Sequence, residues 1–398
     1  MILDILPLLL LGITTISFIQ FALFGTALPA IINDLHIGYD FAGILMAIWT
    51  LASIIGVLIV GRSIDRIDIT WLIPFIMGIQ SILTLLIAFT GNVVTFSVLR
   101  TLISLTMPFI WPICAKITSI YLAGLRYGYT TSLYDIGSII GLALTYILMF
   151  FACNWRKATI IASTIGFAYT LIIYIVLRNF TKKYVSIGKI SKKNFGNSQN
   201  RFRNANIVKM LLTLFLAFFF AMYAWGFIVD WLSTYLLNDL RFSYADLVLY
   251  MLLVAILGSV VEVMAGLYSD KTGGLKGKIV VIYIGLAASA ITLLLSALLR
   301  NPIIRIISVT FSLIAYRIAS PSFWAIINEI IPPNFIGRYG SIYNLASRIA
   351  TIASSIINGY IIKLTNSARY TAVLSASSLI FSIIFYSLID RQYKNFLS

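Results

Sequence analysis

Seven ionisable residues lie inside long apolar stretches of the sequence, where a charge is costly. On insertion scales an Arg, Lys or Asp at the centre of a membrane-spanning helix costs about 2.5 to 3.5 kcal/mol, so such residues usually mark a transport pathway or an ion pair. They could bind an anion, carry a proton or pair with one another. The seven residues are Arg100, Lys116, Asp135, Asp230, Glu262, Arg317 and Arg348.

Two pairs of charges share one spacing. Lys116 precedes Asp135 by nineteen residues, and Glu329 precedes Arg348 by nineteen. We predict that each forms an ion pair at a gate on the cytoplasmic side. Structural pairing without gating is one alternative, and snorkelling of the long side chains to the membrane surface is another.

The remaining charges could serve a substrate or a proton. Arg317 lies deep in its stretch and therefore prefers a carboxylate or phosphate partner, either a protein acid or a substrate anion. Arg100 lies only about 10 Å inside its stretch, at 1.5 Å per residue, so snorkelling is open to it too. Asp230 and Glu262 have no obvious partner, and burial would favour their protonated forms. Asp230, Asp135 and Glu262 are the predicted candidates for proton coupling.

The sequence lacks the signatures of enzymes and of metal sites. Cys114 and Cys153 set no disulfide framework, and His36 has no second His or Cys nearby to complete a metal site. We find no nucleophile elbow, zinc-protease motif or Walker phosphate loop. The sequence therefore predicts no catalytic residue, no metal, no cofactor and no direct drive by ATP.

The composition identifies the elements that must position these residues. Of 398 residues, 60% are hydrophobic and 11% are charged, and the mean hydropathy is +0.99. A soluble domain would be about 25% charged. Runs of about 20 apolar residues cross a bilayer as helices, which satisfy their own backbone hydrogen bonds. An all-α polytopic membrane protein is predicted, with twelve spans near 5–31, 41–60, 71–90, 93–115, 128–151, 158–177, 207–236, 246–268, 279–299, 303–327, 338–362 and 369–389.

The basic residues follow the topology of the predicted spans. The net charge is +16, and placing both termini in the cytoplasm puts 18 of the 29 Lys and Arg on cytoplasmic segments and 7 on external ones. This is the distribution of the positive-inside rule, so the charge requires no nucleic-acid partner. The densest basic block begins in a predicted cytoplasmic linker, 178–206, between 1–177 and 207–398. We predict a multi-pass protein of the cell membrane.

The sequence also contains a duplication. Segments of the first half recur in the second half at offsets between 205 and 213 residues, in the same order. One six-span unit is therefore predicted to occur twice. The recurring segments are Asn33–Leu35 as Asn238–Leu240, Gly61–Arg66 as Gly266–Lys271, and Pro108–Trp111 as Pro321–Trp324.

These motifs resemble the major facilitator superfamily of secondary transporters over nearly the whole chain. The family's loop between spans two and three reads G-x-x-x-D-[RK]-x-G-[RK]-[RK]; the first copy departs from it at Asp68, Ile69 and Thr70. Asp34, Arg100 and the pair at 155–156 also match the family. The resemblance implies two six-helix halves, 1–177 and 207–398, and a cytoplasmic gate at the loop motif. The predicted gate residues are Gly61, Asp65, Arg66, Gly266, Asp270, Lys271 and Gly273.

The resemblance also places spans one, four, seven and ten around a central substrate cavity. Helical spacing then selects one face of each span. Trp111 and Trp324 occupy equivalent positions and could instead be packing residues. The predicted cavity residues are Gln20, Arg100, Trp111, Tyr223, Asp230, Arg317, Trp324 and Asn328.

The function implied is secondary transport of a small solute across the lipid bilayer by alternating access, coupled to protons, in a monomer. Four of the seven charges are basic and three are acidic, and Glu329 makes the count even, so a small organic anion or metabolite is only weakly favoured. Proton-driven export of amphipathic or cationic compounds is the main alternative, favoured by Asp230 and by 14% aromatic residues. A non-transporting receptor or a channel is the alternative of another class.

Overall fold

The structure is a computed structural model that describes the backbone of residues 2–63, 67–121, 127–184, 205–330 and 336–397. Its described residues form helices joined by short turns. Side chains are described for 7–60, 67–68, 71–114, 117, 132–178, 209–269, 271–327, 329–330, 340, 342–389 and 391–392.

The first six spans are successive helices of the chain. Span four is two helices, Val93–Thr106 and Ile110–Tyr121, joined by a single 3-10 turn at Met107–Phe109. The turn contains Pro108, which cannot donate a backbone hydrogen bond inside a helix. The other five spans are Ile2–Leu35, Tyr39–Ser63, Ile69–Ile87, Tyr127–Ala152 and Trp155–Tyr184.

The second six spans repeat this order. Span seven begins as Ala205–Gly226 and continues through wider π turns at Phe227–Trp231 and Tyr235–Asp239, with Leu232–Thr234 between them. π turns inside a helix are uncommon and often lie at functional sites. Spans eight to twelve are Tyr244–Thr272, Gly274–Leu298, Pro302–Ile330, Ile336–Thr365 and Arg369–Leu397.

The helices have the length and the surface of membrane spans. Among the described residues, eleven are long and apolar enough to cross a bilayer, and Trp71–Ile87 is a shorter apolar helix. Large apolar side chains such as Phe75 and Leu171, each 63% exposed, cover their outer faces. Such a surface suits lipid, which offers no hydrogen bonds to polar groups. The predicted all-α polytopic fold is confirmed.

The backbone carries the duplication that the sequence predicts. Where the backbone is described, four non-glycine residues have a positive φ: His36 at 52°, Arg241 at 58°, Cys153 at 54° and Asn366 at 51°. This left-handed conformation is uncommon outside glycine. His36 and Arg241 are 205 residues apart, and Cys153 and Asn366 are 213 apart. The turns after spans one and seven, and before spans six and twelve, are therefore the same turns.

A repeated arginine contact holds these turns. Arg156 forms an ion pair with Asp34 at 2.7 Å and donates to the carbonyl oxygen of Ala88 at the end of span three, at 3.2 Å. Arg369, which is 213 residues later, donates to the carbonyl oxygen of Leu298 at the end of span nine, at 3.0 Å. The last carbonyls of a helix have no partner within the helix, so each arginine satisfies an acceptor that the helix leaves open.

Candidate substrate cavity

A cavity of about 130 Å³ lies among spans one, two, four, five, seven, ten and eleven. Its wall combines charged, small polar and aromatic side chains, so it can contact a ligand with both polar and apolar parts. The aromatic lining residues are Phe18, Phe21, Phe24, Trp49, Trp111, Trp225, Tyr316 and Trp324.

The structure brings five of the eight predicted cavity residues to this wall and turns two away. Gln20 donates from its side-chain amide to Ser81 at 2.9 Å, and Tyr223 donates from its hydroxyl to the Asn358 side chain at 3.0 Å. Both polar groups find these partners behind the wall, which sequence spacing does not reveal. The side chain of Asn328 lies outside the described residues. The five lining residues are Arg100, Trp111, Asp230, Arg317 and Trp324.

Arg100 turns inward instead of snorkelling to the membrane surface. It is only 5% exposed, and its guanidinium donates to the main-chain oxygens of Gln20, at 3.1 Å, and Phe21. The guanidinium carbon lies 5.0 Å from the ring centre of Phe21 and 5.7 Å from that of Trp49, within range of cation–π attraction. The Nε hydrogen is buried and has no acceptor among the described residues. Span one therefore holds this cation at the cavity wall.

Asp230 lies in the first π turn of span seven and is 9% exposed. Its carboxylate accepts a hydrogen bond from the Ser355 hydroxyl at 3.2 Å, and it attracts Arg100 electrostatically. The residue equivalent to Asp230, 205 positions earlier, is Gly25, which packs directly against this turn. A Cβ on Gly25 would lie 3.3 Å from the Asp230 Cα and closer still to the Val229 carbonyl. Glycine at this position therefore allows spans one and seven to meet.

The Arg317 cluster consists of Asp135, Glu262, Arg317 and the two donors Trp111 and Ser320. Arg317 donates through Nε to Glu262 at 2.7 Å, and its terminal nitrogen lies 3.6 Å from the Asp135 carboxylate. Asp135 also accepts from the Ser320 hydroxyl at 2.5 Å and from the Trp111 indole at 3.3 Å. Arg317 thus has the carboxylate partner that its depth predicts. Asp135 reaches it from the other half of the protein, since span five belongs to the first six spans.

The described part of the structure does not show the two ion pairs that were predicted for the cytoplasmic gate. The Lys116 side chain lies outside the described residues, so its pairing with Asp135 stays a prediction. Glu329 contacts Lys278 at 2.9 Å instead of Arg348. Arg348 lines the cavity, and its Nε is buried without an acceptor among the described residues. Equal spacing along two helices does not fix which faces meet, which is why the pattern misplaced this pair.

A sequence signal for the position of Arg348 does exist. Asn344, Ser347, Arg348 and Thr351 all line the cavity, and their spacing of three, four and seven residues places them on one helical face. This small polar stripe in an otherwise apolar span predicts a cavity-facing surface. Span eleven was not predicted to form the wall, because the family resemblance places spans one, four, seven and ten there.

The loop-motif residues are described only in part. Gly61 lies in span two, Asp65 and Arg66 fall outside the described residues, and Gly266 and Asp270 lie in span eight. Lys271 is exposed in the last turn of that span, and Gly273 ends it with a φ of 72°. A left-handed residue of this kind is typically glycine. The gate role of these residues stays a prediction.

The two halves pack closely at one end of the cavity, the end with the turns after spans one and seven. The Ser233 hydroxyl of span seven donates to the Gly25 carbonyl of span one at 2.7 Å. Lys363 of span eleven forms an ion pair with Asp40 of span two at 2.8 Å. A Cβ on Gly359 would lie 3.0 Å from the main-chain oxygen at position 39. This end, predicted to be external, is closed.

Comparison with known proteins agrees with this architecture. The chain is 25% identical over 401 residues to the uncharacterized transporter YybO of Bacillus subtilis (strain 168), covering 95% of this chain and 92% of that protein. It is 22% identical over 325 residues to the probable sulfoacetate transporter SauU of Cupriavidus necator (strain ATCC 17699 / DSM 428 / KCTC 22496 / NCIMB 10442 / H16 / Stanier 337), covering 77% and 74%.

Among solved structures, a bacterial homolog of the human lysosomal transporter Spinster, in an inward-facing and unoccupied conformation, has the same fold. Its TM-score is 0.76 at 14% identity, with 99% of this chain and 98% of that chain covered. The sequence profile of the Major Facilitator Superfamily matches residues 10–355. The chain therefore belongs to the major facilitator superfamily and is a multi-pass membrane transporter, not an enzyme.

Proposed function

We propose that this protein transports a small organic anion by alternating access, with protons as the coupling ion. One observation carries the choice of an anion. Arg100 and Arg348 come from opposite halves and border the same cavity, and among the described residues no acid lies within salt-bridge distance of either guanidinium.

The chemistry of these two arginines favours a carboxylate or a similar anion. Each has a buried Nε hydrogen without an acceptor among the described residues. Hydrogen bonds between charged groups contribute about 1.5 to 3 kcal/mol each, and an unmade buried bond costs a similar amount. Arg317 is already paired with Glu262, so Arg100 and Arg348 are the cations available to a substrate. The name of the relative SauU, a probable sulfoacetate transporter, supports the same class.

The asymmetry of the cavity supports alternating access. Spans two and eleven, and spans one and seven, pack closely at the end with the Asp40–Lys363 ion pair. A substrate can leave at that end only if these pairs of spans separate, so the two halves must rock about the central cavity. The inward-facing state of the Spinster homolog supports placing this closed end outside and both termini in the cytoplasm.

Acids beside the same cavity support proton coupling. Asp135 and Asp230 both line it and are almost fully buried. A carboxyl group that moves between a buried site and water changes its preference for a proton. Proton binding can therefore be linked to the position of the halves.

A second function is favoured by the aromatic wall. Trp49, Trp111 and Trp225 line the same cavity, and rings of this kind bind amphipathic or cationic compounds. Proton-driven export of such compounds is therefore the alternative to anion transport. This alternative predicts that the protein exports dyes and that the rate of dye efflux does not depend on Arg348.

Flux measurements in proteoliposomes separate the two functions. The protein would be reconstituted as a single chain and offered a panel of labelled organic anions, sugars, amino acids and dyes, with and without a pH gradient. Saturable, gradient-driven accumulation of an organic anion is expected. Arg348→Gln should raise the half-saturation concentration for this anion at least tenfold. Lys276→Gln, which removes an exposed charge, is the matched control. Dye efflux that Arg348→Gln leaves unchanged would contradict anion transport, and unsaturable flux would contradict a carrier.

A further inference from the structure

Two carboxyl groups compete for one guanidinium in the Arg317 cluster. The side chains of Arg317, Asp135 and Glu262 are 3%, 6% and 0% exposed. Two ionised acids and one arginine would leave a net negative charge in a site almost without water, which is unfavourable. In addition, the second oxygen of Glu262 is buried and has no hydrogen-bond partner among the described residues. One bound proton would neutralise the cluster.

We propose that Asp135 and Glu262 hold one exchangeable proton between them, and that this is the proton coupled to transport. The inference rests on the proposed proton coupling and assigns it to one site. The Glu262 carboxyl group faces Asp135 as well as Arg317. A protonated carboxyl group can donate to its neighbour, whereas two ionised groups repel each other.

The other groups around the acids do not supply this hydrogen bond. The Tyr316 hydroxyl of span ten donates to the Ala221 carbonyl at 3.1 Å. Trp225 of span seven has its ring centre 5.7 Å from the Arg317 guanidinium carbon and carries no exchangeable charge. From span four, the Trp111 indole donates to Asp135.

The more distant charges on the cavity wall are Arg100, Asp230 and Arg348. Among the described residues, neither arginine lies within salt-bridge distance of Asp135 or Glu262, and the charged group that acts on Asp230 is Arg100. The charge balance of the cluster therefore depends on its own three ionisable side chains.

The cluster joins the two moving halves, and this links the proton to movement. Asp135 belongs to span five, whereas Glu262 and Arg317 belong to spans eight and ten. Separation of the halves leaves the Glu262–Arg317 ion pair intact and takes Asp135 away from Arg317 and Ser320. Asp135 then keeps the proton as a neutral acid or releases it to water as a carboxylate. Asp135 borders the cavity and Glu262 does not, so Asp135 is the acid that exchanges with water.

The first test uses protons as the only ligand. Spin labels at Phe89→Cys and Leu298→Cys, which are 73% and 61% exposed at the ends of spans three and nine, report the separation of the halves. Cys153→Asn removes the exposed native thiol and matches Asn366 at the equivalent left-handed position; Cys114 is buried and stays. In wild-type protein the distance distribution should shift between acidic and alkaline buffer. Glu262→Gln and Asp135→Asn, which each fix the cluster at zero net charge, should lose that shift.

The matched control is Asp246→Asn, an exposed acid at the start of the same span as Glu262, and it should keep the shift. A shift that persists in both Glu262→Gln and Asp135→Asn would overturn the assignment. Loss of the shift in Asp230→Asn with retention in the cluster variants would place the coupling proton at Asp230 instead.

The second test distinguishes this assignment from the proposed function. The probe is the labelled organic anion that wild-type protein accumulates best in the panel. Glu262→Gln, whose side chain does not border the cavity, should retain counterflow in the absence of a gradient and lose gradient-driven accumulation. Asp135→Asn should also lose gradient-driven accumulation. If wild-type protein shows counterflow but no gradient-driven accumulation, both proton coupling and the assignment of the proton to this cluster are refuted. If both variants accumulate the anion as well as the wild-type protein does, the assignment of the proton to this cluster is refuted, but proton coupling is not.

Discussion

Replacing Gly43 by alanine perturbs the closed end of the transporter where spans two and eleven touch. A Cβ at Gly43 would lie 2.5 Å from the main-chain oxygen of Ser355 and 3.5 Å from the Cα of Gly359. Ordinary contacts of a Cβ begin at 3.4 Å, so the two helices must separate by about 0.9 Å at this point. Because the opposing atom is backbone, no side-chain rotation relieves the clash.

The size of the effect follows from the cost of overpacking. Inserting a methyl group into a well-packed contact typically costs about 1 to 3 kcal/mol. Since 1.4 kcal/mol corresponds to a factor of ten in an equilibrium constant, the population open at this end should rise about 5- to 140-fold relative to the closed one. The open state has no contact at Gly43 and therefore pays no such cost.

The assay is the distance between spin labels at Phe89→Cys and Leu298→Cys in the Cys153→Asn background. The fraction of long distances should increase in Gly43→Ala without substrate. Gly78→Ala is the control, because its added Cβ would meet only the Thr170 methyl carbon at 3.8 Å while gaining the same helix propensity. An unchanged distribution in Gly43→Ala, or an equal change in Gly78→Ala, would refute the reasoning that this contact is broken during transport.

Three further predictions concern charged side chains. Arg100→Lys should raise the half-saturation concentration for the transported anion about 10- to 150-fold, because a charged hydrogen bond is lost. Arg305→Lys, outside the cavity, should leave this concentration unchanged. An equal increase in both variants would argue against a contact between Arg100 and the substrate. Arg156→Ala should lower the thermal midpoint of detergent-solubilised protein by several degrees through loss of the Asp34 pair and the Ala88 cap, whereas Arg178→Gln should leave it unchanged. Lys363→Gln should alter the spin-label distances less than Gly43→Ala does, because an exposed ion pair contributes only about 0 to 1 kcal/mol. A larger change in Lys363→Gln would show that the ion pair with Asp40 is the main contact that keeps this end closed.

The fold was predictable because it depends on features that are local in sequence. Long apolar runs specify spans whatever their neighbours are, and the Asn33–Leu35 and Asn238–Leu240 repeat fixed the register of the two copies. The equivalent left-handed residues His36 and Arg241 then follow from the duplicated turn. The partner of Arg317 was predictable by class, since a deeply buried guanidinium needs an acid.

The identity of partners was less predictable because it depends on helix rotation. Glu262 became the partner of Arg317 because spans eight and ten face each other at that depth, which no local pattern encodes. The rotation of span eleven turns Arg348 to the cavity and away from Glu329. For the same reason Gln20 and Tyr223 bond behind the wall that they were expected to line. Periodicity identifies a polar face but not what lies opposite it.

The duplication is kept where it holds the turns and is lost where charges line the cavity. Arg156 and Arg369 cap equivalent helix ends in both halves. In contrast, the counterpart of Arg317 is Ser104, 213 residues earlier, and the counterpart of Asp230 is Gly25. Two copies of a buried charge near the same cavity would repel each other, whereas a small residue at the equivalent position avoids this repulsion. A symmetric pair of halves can therefore rock as equal bodies while substrate and proton meet a single, asymmetric set of charges.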